Sequence, residues 1–299
     1  AQLSRGLGDV YKRQMVQREK VKIGIVGYGF VGQAIDYAFT HDLVDKFYVD
    51  PKLNTNIDEL CKWDPACVFV CAPTPMSDNG TVDGAIVEDA VLKIIQHTNA
   101  LVVIKSTVTP DILTRLYNSV HDDDKLRITH NPEFLTENNA KEQFVTSRMR
   151  IIGGPTEESC QRIMSLYNTF SLCINLSWVS MTPQEAAMVK YGVNSYLGMK
   201  VTFMNQIYDS AKKQSLSPQR IINGICNDDR IGFAHSRVPG YDGKRGFGGA
   251  CLPKDMNAIT KFDEDLTLIA ESVKINNKMR EEYELDEREK SNNIIFEDK

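Results

Sequence analysis

Cys251 stands in the run Phe247-Gly248-Gly249-Ala250-Cys251-Leu252-Pro253-Lys254-Asp255. A thiolate attacks carbonyl carbon, and glycines beside it let a small molecule approach the sulfur and the flanking N–H groups. A neighbouring lysine, Lys254, can lower the thiol pKa. The same run also suits a structural cysteine in a turn, and spacing alone leaves both readings open. Lys190 and Asn194 are four residues apart in a stretch of helical pattern, so they share a face. An ammonium beside a carboxamide can donate to a developing oxyanion. A solvated helix face has the same spacing. In Asn131-Pro132-Glu133-Phe134-Leu135-Thr136-Glu137 two carboxylates lie four apart. On a helical turn they would share a face, with one as a general base or both as an ordinary helix-start acid pair. Lys105-Ser106-Thr107 closes an apolar run, where hydroxyls can bind a cofactor or a catalytic water, or cap the strand.

The other chemical constellation is Gly27-Tyr28-Gly29-Phe30-Val31-Gly32, with Asp50 eighteen residues further on. In such a turn the first glycine bends the chain tightly. The second lets a pyrophosphate approach the backbone, and the third lets helix pack on strand. The phosphates would sit at a helix N-terminus, where unpaired N–H groups favour anions. A carboxylate at Asp50 accepts from ribose hydroxyls and repels a 2′-phosphate, which favours NAD over NADP. A glycine turn used for packing alone is the alternative.

These residues need elements to position them. Val21–Val26 reads as a buried parallel strand that ends at the glycine turn, followed by a helical stretch over 33–40. Further strands are expected at 46–49, 66–71, 101–105, 126–129 and 150–152, with helices between several of them. This alternation predicts an α/β fold with a Rossmann-type doubly wound parallel sheet. From about residue 180 the pattern becomes mainly helical. Thr182, Pro183 and Glu185 mark the start of one long helix over 182–214. A second helix is expected over 217–226, a glycine-rich loop over 240–249, and more helix after Pro253. The division expected is a leader of non-native appearance (1–14), a cofactor domain (15–179), a helical central domain (180–285) and a charged tail (286–299), and the end of the charged stretch from Arg280 to Lys299 is expected to fray.

Composition agrees with a two-domain globular chain. The 299 residues are 42% hydrophobic and 25% charged, enough to bury a sizeable core. With 35 Lys plus Arg against 40 Asp plus Glu, the net charge of −5 disfavours general nucleic-acid binding. No apolar run has the length of a membrane span, so no membrane partner is expected. The seven scattered cysteines show no C-x-x-C spacing. That argues against a disulfide framework and against a metal site, and for a reducing, cytoplasmic setting.

In order along the chain, KIGIVGYGFVG, CAPTPMSDNGTVD, IKSTVTP, NPEFLTEN, EAAMVKYGVNSYLGMKVTFMNQ, DDRIG and PGYDGKRGFGGACLPKD resemble the UDP-glucose/GDP-mannose dehydrogenase family. The resemblance implies two successive NAD-dependent oxidations at C6 of a nucleotide sugar, by default UDP-glucose, in the synthesis of polysaccharide precursors. It implies Cys251 as the nucleophile that forms a thiohemiacetal and then a thioester. Lys190 and Asn194 would stabilise oxygen charge, Asp255 with Thr107 and a water would assist proton transfer, and Glu133 would be the base for hydrolysis. Val70, Cys71, Ala72, Pro73, Thr74, Ser106, Glu137 and Lys254 would lie along the cofactor. Phe134, Leu135, Phe247, Gly248 and Gly249 would meet the substrate, and Arg230 would reach the sugar site of a partner subunit. The long helix would form a homodimer. Family members commonly continue into a nucleotide-binding domain, which is expected where this sequence stops. Two other functions remain: a hydroxyacid-type dehydrogenase performing one oxidation, and a non-catalytic NAD-binding partner protein.

Overall fold

The computed structural model describes residues 20–136, 139–174 and 177–296. Val21–Val26 forms β1, with its last four residues buried. β-branched side chains buried on both faces suit the middle of a parallel sheet, where this strand lies. The chain continues with α1 (Phe30–Ala38), β2 (Val44–Val49), α2 (Ile57–Trp63), β3 (Cys67–Val70), α3 (Ala85–His97) and β4 (Leu101–Ile104). Then follow α4 (Pro110–Asn118), α5 (Asp122–Lys125), β5 (Ile128–His130), α6 (Ala140–Thr146), β6 (Met149–Gly153), α7 (Glu157–Phe170) and β7 (Ser177–Met181). The strands form one sheet in the order β2-β1-β3-β4-β5-β6-β7. The order reverses between β1 and β3, which opens a crevice at their carboxyl ends.

Helices cover both faces of the sheet. On one face Val68, Val70, Val102 and Ile104 pack with Val91 and Ile94 of α3 and with Leu113 and Leu116 of α4. On the other, Ile23, Ile25, Phe69 and Val103 pack with Ile35 of α1 and with Ile163 and Tyr167 of α7.

The all-parallel expectation needs one correction. β5 and β6 are antiparallel and share the single pairing His130 with Gly153. Instead of returning the chain to the opposite end of the strands, α6 lays Ala140 and Phe144 beside Ala34, Ile35 and Ala38 of α1. β6 therefore starts from the same end of the sheet at which β5 finished. β7 is a strand absent from the sequence reading, and it pairs with β6 in parallel.

The helical part begins with α8 (Pro183–Lys213), thirty-one residues long and started by a reciprocal Thr182–Glu185 capping box with proline in the first turn. It continues with α9 (Pro218–Cys226), α10 (Leu252–Phe262), α11 (Thr267–Arg280) and α12 (Glu287–Ser291). Up to Phe296 the tail is packed against the rest of the chain. Asp286 caps α12, while Glu289, Ile294 and Phe296 are buried. The Met76 N–H donates to the Asn292 carbonyl at 3.1 Å, tying the tail to the first half of the chain.

Candidate active site

The carboxyl ends of β1, β2 and β3 converge on the glycine turn. Gly27 has φ +89, and a Cβ there would lie 2.5 Å from the Cys71 carbonyl oxygen. A Cβ on Gly32 would lie 2.1 Å from the Gly27 oxygen. Above Gly29 there is open space. Gly29 also heads α1 with no side chain capping it, so the helix presents unpaired N–H groups beside that opening. Asp50, at the end of β2, accepts from the Tyr28 N–H at 2.8 Å and from the Lys52 N–H at 2.9 Å, and so faces the same turn. Space for a diphosphate, a helix end facing it and a carboxylate for ribose together fit a dinucleotide.

The Tyr28 side chain is spent on the frame. Its hydroxyl donates to Asp36 at 2.6 Å, where Tyr48 (2.8 Å) and Lys46 also converge. Burial and the Asp36 carboxylate push the Tyr28 hydroxyl up to about 12. Burial works against the Asp36 charge, but hydrogen bonds from Lys46 and the two tyrosines prevail and hold its carboxyl below the usual range. Phe30 is exposed and Val31 half-buried at the start of α1. Past Val70, Ala72 and Thr74 are buried while Pro73 is exposed. The Ser106 hydroxyl donates to the Ala72 carbonyl at 2.7 Å, so it ties β4 to this segment.

A second group of residues forms where α8 crosses α10. Cys251 is exposed at the N-cap of α10, and its carbonyl accepts from the Asp255 N–H at 2.9 Å. Asp255 is buried and takes Lys254 Nζ on one oxygen and Asn194 Nδ2 on the other, both at 2.6 Å. The Lys254 ammonium is therefore committed to Asp255. The helices cross closely because Gly198, one turn past Asn194, leaves room for Met256; a Cβ would stand 2.1 Å from its sulfur. Lys190 is buried one turn before Asn194, with Nζ 5.2 Å from the centre of the Phe134 ring. Among the described residues it makes no ion pair. Phe134 and Leu135 are half-buried.

Residues 131–136 are not helical, so the shared helical face drawn for the two glutamates does not form; Glu137 lies outside the described residues. Glu133 instead meets Lys105 at 2.9 Å, with side chains 9% and 1% exposed. The other Glu133 oxygen accepts from the Phe134 N–H at 3.0 Å. Lys105 also donates to Asn131 Oδ1 at 2.9 Å, and that oxygen accepts from the Tyr167 hydroxyl at 2.9 Å. Asn131 Nδ2 donates in turn to the Ile151 carbonyl at 2.6 Å. Burial draws the Lys105 pKa down, against the pull of Glu133. Sequence reasoning used Lys105 only to end a strand. Its signal was a lysine directly after four strand residues, at the carboxyl end of a buried strand. His130 is fully buried, and burial with Lys105 and Lys190 pushes it down to about 3, against a backbone hydrogen bond with Ile104.

Thr107 is half-buried beside this group. Arg230 is exposed on the loop after α9 and pairs with Asp228 at 2.6 Å. Arg245 is committed to Asp209 at 2.8 Å and to Asn205 at 2.6 Å, and Lys244 to the Glu284 carbonyl. Phe247, Gly248 and Gly249 lead directly to Cys251, with Phe247 buried. Among the described residues no cluster of His, Cys, Asp and Glu has the make-up of a metal site. No described helix is long and apolar enough to cross a membrane.

Comparison with known proteins places the chain in a family. Residues 52–171 match the NAD binding domain of the UDP-glucose/GDP-mannose dehydrogenase family, and residues 184–279 match its central domain. The chain is 34% identical to a UDP-glucose 6-dehydrogenase of Rickettsia bellii (strain RML369-C) over 220 residues, 71% of this chain and 49% of that protein. It is 28% identical to the UDP-glucose 6-dehydrogenase TuaD of Bacillus subtilis (strain 168) over 252 residues, 80% of this chain and 52% of that protein. The chain thus spans about half the length of the curated relatives it matches. The fold is shared with the structure of a UDP-glucose dehydrogenase from the hyperthermophilic archaeon Pyrobaculum islandicum, with TM-score 0.72, 24% identity, and 87% of this chain and 68% of that one covered. A glycine turn that fits NAD and a cysteine loop leading into Asp255, which meets Asn194, lie within or beside the two matched domains, and the chain belongs to the UDP-glucose/GDP-mannose dehydrogenase family.

Proposed function

We propose that this chain oxidises the C6 alcohol of a nucleotide sugar to the carboxylate, with UDP-glucose as the default substrate. The observation that carries this reading is the set at the α8–α10 crossing: an exposed Cys251 heading a helix whose buried Asp255 is held by Asn194 and Lys254. Bound NAD supplies the acceptor for two electrons in each of two oxidations. Gly29 and the head of α1 would hold its diphosphate, and Asp50 its ribose.

Cys251 Sγ adds to the carbon of the C6 aldehyde, forming a C–S bond as the C=O π bond opens and the thiol proton passes to the oxygen, which gives a thiohemiacetal. Loss of a hydride from that carbon and of the proton from its hydroxyl then gives a thioester. Water adds to the thioester carbon, the C–S bond breaks, and carboxylate and thiol are released. Per sugar, one water is consumed, two NAD are reduced and three protons are released. Lys190 and Asn194 donate to oxygen as negative charge grows on it. Asp255, with Thr107 and a water, moves the alcohol proton, and Glu133 takes the proton of the hydrolytic water. By family resemblance Lys254 and Glu137 lie on the cofactor side, and Arg230 extends to the sugar site of a second copy. The exposed stripe Met188, Tyr196 and Phe203 on α8 supports a homodimer through that helix. Seven cysteines without a disulfide support a reducing, cytoplasmic setting. A uronate product suits synthesis of polysaccharide precursors.

The test is NADH formed per sugar consumed across a panel of nucleotide sugars. Two NADH per sugar is the expected result and names the substrate; Cys251→Ser should then stop the reaction before the acid. One NADH per sugar, unchanged by that substitution, would mean a single-oxidation dehydrogenase. No NADH while NAD still binds would mean a non-catalytic partner protein.

A further inference from the structure

We infer that the C-terminal segment, through Glu289, is a positioning element for the loop that delivers Cys251. The inference rests on the reading of Cys251 as nucleophile. It starts from α11, which buries Ser272, Asn276 and Arg280 at four-residue spacing, on one face. The Ser272 hydroxyl meets the Thr202 hydroxyl of α8 at 3.0 Å, fixing one helix on the other. One turn on, Asn276 grips the backbone of Phe247 at both groups: its Oδ1 accepts the N–H at 2.6 Å and its Nδ2 donates to the carbonyl at 3.0 Å. One turn further, Arg280 is 1% exposed and spreads its guanidinium between Asp242, at 2.7 Å, and Glu289, at 2.6 Å.

Glu289 comes from the tail and is fully buried. Its Oε1 accepts from Arg280 and also from the Gly249 N–H at 3.0 Å, while its Oε2 accepts from the Asp286 N–H at 2.9 Å. A tail carboxylate is thus the acceptor for a backbone donor two residues before the thiol. The loop is built to receive it. A Cβ on Gly248 would stand 2.2 Å from Arg280 Nη2 and 2.4 Å from Glu289 Oε1. A Cβ on Gly246, where φ is +73, would stand 2.5 Å from Asn276 Oδ1. These glycines make room for the chain's own side chains. A buried pair with each oxygen engaged has one good geometry and loses it sharply when a member is removed. The loop therefore has its course fixed from α11 and the tail before Cys251 heads α10.

The experiment compares Glu289→Ala, Glu289→Gln and Glu287→Ala in the full chain. Glu287 is an exposed neighbour on the same short helix. Trypsin cleavage after Lys244 and Arg245 reads how firmly the loop is held, and cleavage after exposed Lys52 in the same digest is the internal reference. Glu289→Ala is expected to speed cleavage in the loop by about tenfold with no change at Lys52, and to lower kcat for aldehyde oxidation by about tenfold with KM for NAD within about twofold of its starting value. Glu289→Gln keeps an acceptor for the Gly249 N–H and should recover most of both, and Glu287→Ala should change neither. Equal acceleration at both cleavage sites, an unchanged loop, or a loosened loop with unchanged kcat would each overturn the inference. A starting protein that oxidises no sugar would overturn the proposed function instead, and the cleavage comparison would then decide alone whether the tail holds the loop.

Discussion

Lys105 and Glu133 form an ion pair almost without exposure. Removing one member of such a pair leaves a charge stranded out of water, a loss of about 3–5 kcal/mol. Lys105→Met should lower the urea-unfolding free energy by about that much. Lys105→Met with Glu133→Gln should regain a good part of it; equal loss in both would mean that the pair does not carry the effect. His130 makes a different prediction. Its imidazole sits at about 3 in the fold, pushed down by burial and by Lys105, against an ordinary value of 6.5. Between those values the unfolded chain binds the extra proton and the folded chain does not. Stability from this source is complete above about pH 6.5 and drains away as pH falls toward 3. His130→Asn should flatten the acid limb of Tm against pH; parallel acid limbs would refute the assignment. At this scale the types and spacing of Cys251 and the three glycines marked them as candidates, whereas Asp255 entered only through the family resemblance. The sequence hid Lys105, which looks like a polar stop after a strand, and Glu289, which looks like one more charge in a charged tail. Burial in those cases comes from tertiary contacts that no spacing announces.

The elements differ in how openly they declare themselves. α8 was legible from its capping residues, and its contribution can be measured there. Thr182 accepts from the Glu185 N–H, so Thr182→Ala should cost about 1 kcal/mol in chemical denaturation, and Thr182→Ser should restore it. The crossing of α8 on α10 depends on Gly198. Gly198→Ala should destabilise by about 1–3 kcal/mol and lower kcat, because Asn194 and Asp255 are carried on the two helices being forced apart. Shortening the obstacle with Met256→Ala in the same chain should relieve the kcat loss, and failure to do so would separate the glycine from the site. β1 matched its expected span because an apolar β-branched run bounded by a glycine turn has one reading. β7 escaped because Ser177–Met181 has no fully buried residue, and serines interrupt its apolar Trp178, Val179 and Met181. The reversal at β6 escaped because strand direction is not written in hydrophobicity.

Across the whole molecule, the exposed aromatics of α8 bear on the proposed homodimer. Tyr196 and Phe203 are 59% and 49% exposed in the single chain, large for rings of that size. Tyr196→Glu with Phe203→Glu should shift the light-scattering mass from dimer to monomer without altering the far-ultraviolet circular dichroism. An unchanged mass would place any association elsewhere. The seam between β5 and β6 has a further consequence. One backbone pairing joins those strands, whereas five register pairs join β6 to β7 and six join β1 to β2. Much of the stitching falls to the Asn131 amide, which reaches Lys105 and Tyr167 on one side and Ile151 on the other. The sheet is therefore a broad plate with a separately hinged panel. In deuterated water the amides of Met149–Gly153 and Ser177–Met181 should exchange together, as one cooperative unit, well before those of β1, β3 and β4, so that this protein opens first along the line where its strands change direction.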